Sequence, residues 1–257
     1  MEIDRRKFLT IAGITAATTI GKKVIGDTTD VEQIAGLPQK SPLVGHRWAM
    51  VIDTRKCREK SGCTKCIDAC HSAHNVPQFD NPKDEVKWIW KEHYKEAFPN
   101  QEHKHVKEGL LEMPAIVMCN HCDNPPCVRV CPTQSTWKRD DGIVMMDMHR
   151  CIGCRYCIAA CPYGSRSFNW RDPRPFIKNL NKEYPTRTRG VVEKCNFCAE
   201  RLAKGLHPAC VDACEEKALV FGDLEDPESE VRALLRENYA IRRKPALGTN
   251  PEVYYIV

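Results

Sequence analysis

The residues best suited to chemistry lie at 151–162, which read CIGCRYCIAACP. Cys151, Cys154, Cys157 and Cys161 follow C-x-x-C-x-x-C-x-x-x-C, and Pro162 closes the run. Thiolates are soft ligands, and this spacing wraps one 4Fe–4S cluster in a tight loop while passing the fourth thiolate to a second cluster. Gly153 is expected to let the backbone pass close to the sulfurs. Cys161 is expected to open a helix directed away from the loop. A zinc knuckle is the competing reading, but it rarely needs four cysteines packed so closely.

The pattern recurs. The 257-residue chain holds 16 cysteines in four groups of four, with none left over. They are Cys57, Cys63, Cys66 and Cys70; Cys119, Cys122, Cys127 and Cys131; the group above; and Cys195, Cys198, Cys210 and Cys214. C-x-x-C spacing in every group argues for metal or cluster ligation. Disulfide frameworks usually staple small domains that lack a core, and this chain is not small. No C-x-x-C-H run is present, which excludes the usual attachment of c-type haem. The formal charge of +5 counts cysteines as neutral. A 4Fe–4S unit with four thiolates carries about −2 when oxidised, so four of them turn the balance mildly negative. That removes the charge argument for a nucleic-acid partner. Lys56, Lys65, Arg150, Arg155 and Lys194 stand beside the motifs and are expected to offset cluster charge. No phosphate-binding glycine loop, G-x-S-x-G or H-E-x-x-H competes for a catalytic role.

The elements that must position these thiols show as an internal repeat. AMVIDTRKC at 49–57 matches IVMMDMHRC at 143–151: a short apolar strand, then an Asp four residues before the first cysteine. CNHC at 119–122 matches CNFC at 195–198, and PPCVRVC at 125–131 matches PACVDAC at 208–214. Tight-loop and open-loop groups therefore alternate. Two groups depart from the simple pattern: REKSG expands the first between Cys57 and Cys63, and AERLAKGL, read as a short helix, lies between Cys198 and Cys210. Residues 71–118 form an insertion in which Trp88 and Trp90 share a face if the segment is a strand. They form either a local core or a docking patch. Its histidines (71, 74, 93, 103, 105) and His121 are read as surface or interface groups. After Cys214, ALVFGD predicts a strand, Asp226 and Pro227 the cap and first residue of a helix, and KPALGTNPEVYYIV an extended tail. At the other end, Arg5 and Arg6 precede an apolar run from Phe8 to about Ile20, with a linker over residues 22–45. The run is shorter than a membrane span and fits a twin-arginine export signal, retained as an anchor if it is not cleaved.

Four cluster motifs in this order, CNxC in the second and fourth, and the closing GDLEDPESEV and KPALGTNPEVYY resemble the iron–sulfur electron-transfer subunits of the dimethyl-sulfoxide-reductase superfamily. HRWAMVIDTRKC, GCTKCIDACHSAHNVP and NPKDEVKWIWKEHYKEAFP are most similar to the DsrO-type subunit (archaeal Hme-type) of the sulfite-reduction-associated DsrMKJOP membrane complex. The resemblance implies an electron-transfer subunit with four [4Fe–4S] clusters and no catalytic site of its own. It also implies two partners, a quinone-interacting membrane subunit of the NrfD/DsrP type and a multihaem cytochrome c of the DsrJ type. The expected site is the outer face of the cytoplasmic membrane. A relay for a molybdopterin oxidoreductase acting on polysulfide, tetrathionate or nitrite-like substrates is the alternative, and a structural zinc protein a more distant one.

The expected fold is α+β, two interlocked ferredoxin-like modules with an insertion and a C-terminal helix and tail. The expected segments are 1–45 (arm and linker), 46–118 (first group and insertion), 119–170 (second and third groups), 171–222 (fourth group) and 223–257. Each open-loop group needs a tight-loop partner, which allows two pairings. Short connections join neighbours, and the short link from Cys131 to Cys151 favours second with third and first with fourth. The family resemblance agrees. Three-plus-one ligation then expects Cys57, Cys63 and Cys66 with Cys214; Cys195, Cys198 and Cys210 with Cys70; Cys119, Cys122 and Cys127 with Cys161; and Cys151, Cys154 and Cys157 with Cys131. The four clusters would form a chain.

Overall fold

The computed structural model describes residues 41–59, 62–101, 103–107 and 109–257. The arginine pair, the apolar run after it and most of the linker lie outside these residues. The described residues belong to one compact unit, and none of their helices is long and apolar enough to cross a membrane.

Strand β1 (Trp48–Asp53) is buried along its whole length, as a strand covered on both faces must be. It pairs antiparallel with β8 (Leu219–Asp223) and parallel with β10 (Val253–Ile256), which pairs in turn with β9 (Ala240–Ile241). The extended tail expected from the sequence is thus an inner strand of the main sheet. Alternation divides the side chains between two faces. Ala49, Val51, Val220 and Ile256 pack under Val231 of helix α8 (Glu230–Glu237), while Met50, Ile52, Phe221 and Tyr255 join the larger core that reaches the cysteines. Helix α8 begins later than the sequence predicts. Ser229 is its N-cap and accepts from the Arg232 amide. The Asp226 carboxylate instead takes the nearer Glu228 amide at 3.0 Å, and its carbonyl takes that of Ser229, which closes a turn.

The insertion supplies a second, two-stranded sheet of β2 (Ile89–His93) and β3 (Pro114–Met118). Trp88, Ile89 and Trp90 are all buried and join the larger core with Met50, Ile52 and Phe221, so the tryptophan pair is neither a separate local core nor an exposed docking patch. Hairpin β4 (Thr136–Lys138) and β5 (Val144–Met146) spans the short link between the second and third cysteine groups. Strands β6 (Ser167–Phe168) and β7 (Val192–Glu193) bring the third group to the fourth.

Short helices carry the cysteines between these sheets. Helix α2 (Lys65–Ala73) bears Cys66 and Cys70, and it packs against α7 (Ala209–Asp212), which bears Cys210 and ends just before Cys214. Helix α4 (Pro126–Arg129) bears Cys127 and packs against α5 (Tyr156–Ala160), which bears Cys157. The last two cysteines of every group stand four apart. That is about one helical turn, so they share a face but lie roughly 6 Å apart along the axis. Cys161 is the C-cap of α5. The helix start expected at Cys161 is a helix end. The helix instead lies between the third and fourth thiols and sets their separation.

Candidate metal centres

None of the sixteen cysteines is joined in a disulfide, which removes the disulfide framework. They gather into four sets, each drawn from two sequence groups. Cys57, Cys63, Cys66 and Cys214 line one enclosed cavity, set A. Cys119, Cys122, Cys127 and Cys161 line another, set C. Cys131, Cys151, Cys154 and Cys157 line a third, set D. Cys70 lies in the core with Cys195, Cys198 and Cys210, set B, where charge on those three acts on it most strongly among its neighbours. The fourth cysteine of each group thus joins the set of another group, across the packed helix pairs.

The charge that thiols of different sets exert on one another gives their order. Cys66 acts on Cys70 and Cys210, which links A to B. Cys119 is the strongest thiol neighbour of Cys195, which links B to C. Cys127 faces Cys157, which links C to D. The sets stand in single file, A–B–C–D. Exposure differs along the file: Cys195, Cys198, Cys210 and Cys70 are all buried, whereas Cys154 in set D is the one exposed cysteine of the sixteen.

The electrostatics of the sets fit bound clusters. Burial pushes Cys70 and Cys210 well above the usual thiol range, and takes Cys66, Cys122 and Cys195 up to about 12. A thiolate at such positions needs a cation beside it, which iron supplies. Donors already point at the sulfurs. The Phe197, Ala209 and Ala218 amides approach Cys195, Cys198 and Cys214 at 3.5, 3.4 and 3.3 Å. Cys131 differs from the rest. Burial opposes its ionisation, but the hydroxyls of Ser135 and Thr133 and the amides of Thr136 and Thr133 outweigh it and bring the thiol to about 6. Gly153, at φ +72°, passes so close to the Gly190 carbonyl that an added Cβ would lie 2.5 Å from that oxygen. This close approach of two backbone segments is a further demand for glycine at this position.

The basic residues sort by burial. Lys56, Arg150 and Arg155 are exposed, and Arg155 lies over the rings of Phe168 and Trp170. Lys65 pairs with Glu215 at the surface. Lys194 alone of the five is buried, at 1% exposure. Arg166, outside these five, is also buried. Three histidines depart from the surface reading: His71 is half-buried with its Nε2 enclosed, and two others are buried outright. His74 is fully enclosed, with Nε2 at 2.8 Å from Glu200 and Nδ1 at 2.8 Å from the Cys70 carbonyl. His121 stacks on Phe197 at 3.7 Å. These two are the x positions of CNHC and CNFC, so the repeat held the signal for their contact. His93, His103 and His105 are exposed, as expected.

Comparison with known proteins places these features. The 4Fe–4S dicluster domain family matches residues 113–174 and 179–224. The chain is similar to the Hdr-like menaquinol oxidoreductase iron–sulfur subunit 1 of Archaeoglobus fulgidus, with 40% identity covering 98% of this chain and 97% of the relative. It is 37% identical to the iron–sulfur cluster-binding subunit of menaquinone reductase from Nitratidesulfovibrio vulgaris, covering 82% and 88%. It is 38% identical to a tetrathionate reductase subunit of Salmonella typhimurium, covering 82% and 72%.

Proposed function

The chain belongs to the iron–sulfur electron-transfer subunits of the menaquinol and molybdopterin oxidoreductases and carries four [4Fe–4S] clusters, and from that premise we propose that it is a DsrO-type relay serving a quinone-linked membrane complex of sulfite or sulfur metabolism. The single-file order of the four thiol sets carries this reading. Each bound cluster supplies one-electron storage. The chain supplies ligands, burial and spacing. Sets A to D are the ligand quartets, each three cysteines from one group and one from another. The fold is two interlocked ferredoxin-like modules, A with B and C with D, meeting where His121 stacks on Phe197.

The D end fits a contact with another redox subunit. Cys154 is exposed there beside Ile152 and Tyr156, which are 68% and 63% exposed. The partners in this reading are an NrfD/DsrP-type membrane subunit that handles quinone and a multihaem cytochrome c on the outer face of the membrane. Arg5 and Arg6 direct export of the folded, loaded protein, which suits clusters assembled in a reducing compartment. Likeness to an Hdr-like menaquinol oxidoreductase subunit over nearly the whole chain favours this set of partners. Likeness to the tetrathionate reductase subunit supports a second reading, the same relay joined to a molybdopterin subunit.

Affinity purification of the tagged protein from gently solubilised membranes separates the two. Recovery with an integral membrane subunit and a haem-staining cytochrome is the expected result. A pterin-containing partner in place of the cytochrome would establish the second reading. Recovery with no redox or membrane partner would overturn both.

A further inference from the structure

Four strongly basic side chains lie almost wholly inside the described residues, and they divide two and two. Arg187 faces Glu193 at 2.5 Å and Arg243 faces Glu92 at 2.9 Å. Lys194 and Arg166 have no carboxylate within ion-pair distance among the described residues, although they are 1% and 5% exposed. A buried cation without a counter-charge is strongly unfavourable, so their surroundings must provide one.

Their contacts show where it lies. The Lys194 ammonium donates to the carbonyls of Cys195 and Val144. Cys195 is a set B cysteine, and Val144 is part of the wall of the set C cavity. Lys194 therefore spans the B–C junction. Arg166 is itself part of the set C wall, and it donates to Thr136 Oγ1 and Met146 Sδ, both in the wall of the set D cavity. Its guanidinium spans the C–D junction, and the charges of Cys127 in one set and Cys157 in the other act on it most strongly among the thiols. Set C thus has a buried cation on each side. Set B has one, but it also has the Glu200 carboxylate, which acts on Cys195 and Cys198.

We propose that Lys194 and Arg166 are positioning charges whose counter-ions are the clusters themselves, and that they make set C the highest-potential station of the relay, with B below it. The proposal rests on the ligand quartets argued above. An electron reaching set C from a neighbouring set, or in a titration from dithionite, adds one negative charge and forms no covalent bond. The two cations stabilise that added charge at short range, in surroundings that screen it little. Electrons then collect in the interior of the file, next to the exposed D end.

The test is a redox titration of the anaerobically purified full-length holoprotein, followed by low-temperature EPR. Lys194→Gln is expected to lower two of the four potentials, those of B and C. Arg166→Gln is expected to lower those of C and D. Each shift should be at least about tenfold in the reduced-to-oxidised ratio at fixed potential, which is about 59 mV for one electron. Set A should hold its value in both variants. Lys194→Arg and Arg166→Lys keep the charge and should restore the parent potentials. In the parent protein, Cys122→Ser should perturb the signal that is reduced first, an arm that holds even if the Gln variants fail to load iron. Unchanged potentials, equal shifts in all four, or a first signal indifferent to Cys122→Ser would overturn the proposal. About 16 iron atoms with unshifted potentials would sink it alone, whereas iron well short of four cubanes in the parent would sink the ligation reading beneath it.

Discussion

The buried pair Arg187–Glu193 allows a quantitative test of how the fold holds set B. Their side chains are 1% and 0% exposed, with 2.5 Å between Nη2 and Oε2. Glu193 also accepts from Trp88 Nε1 at 3.0 Å and Asn169 Nδ2 at 2.5 Å, while Arg187 donates to the His74 carbonyl. The cluster thus clamps the insertion and the end of the Cys70 helix to the strand leading into Cys195. Arg187→Met leaves a carboxylate enclosed with only neutral donors, at an expected cost of about 3–5 kcal/mol, more than two decades in an equilibrium constant. Adding Glu193→Gln removes the stranded charge, so the double variant should be more stable than the single one, with a coupling of about 2 kcal/mol or more. Cluster loss makes unfolding irreversible, so the operational quantity is a rate. The ties of this pair to the His74 carbonyl and to Trp88 join distant parts of the chain and are expected to break before the unfolding barrier, which sends most of the cost into that rate. The assay is anaerobic guanidinium unfolding, followed by visible bleaching and tryptophan fluorescence. A single substitution that speeds unfolding less than about tenfold, or a double variant that unfolds as fast as the two effects combined, would refute the reasoning.

Other outcomes follow from the same structure. Anaerobically prepared protein should contain roughly 16 iron and 16 acid-labile sulfide per chain, the content of four cubanes, and stoichiometric zinc would contradict it. Gly153→Ala places a Cβ 2.5 Å from the Gly190 carbonyl at φ +72°. It should selectively lose the set D signal by EPR, and a fully loaded, equally stable variant would show the contact to be unimportant. Replacing Arg5 and Arg6 together with Lys should leave the clusters assembled and the protein on the cytoplasmic side, as cell fractionation would show. Arrival of that variant at the outer face would remove the signal reading.

Sequence legibility followed how local each feature is. The four-residue step from Cys66 to Cys70, repeated at 127–131, 157–161 and 210–214, is a local signal. It already holds the geometry that puts neighbouring thiols into different cavities. Trp88 and Trp90 were readable as one face, but whether that face met solvent depended on β3 arriving opposite it. His74 and His121 looked like surface groups because nothing nearby in sequence shows Glu200 or Phe197 beside them. Arg166 escaped notice for a similar reason. It lies just after a motif in the chain, and only the packing of β4 and β5 against it makes it an interior charge. The tail of the main sheet was legible as extended chain, but its place between β1 and β9 was not.

That place has a consequence for how the protein is made. As a ribosome delivers the chain, β1 emerges early, and its neighbour β10 emerges after every one of the sixteen cysteines. Until then one edge of β1 has no partner, and the A and B half of the molecule, whose thiols are drawn from both ends of the described chain, cannot close. The C and D thiols all lie within residues 119–161, so that half can be completed while synthesis continues. Assembly is therefore staged, with the C and D half of the relay built first and the sheet that seals the other half built last. A nascent chain stopped short of residue 253 should hold two clusters and leave an open sheet edge for a chaperone to recognise.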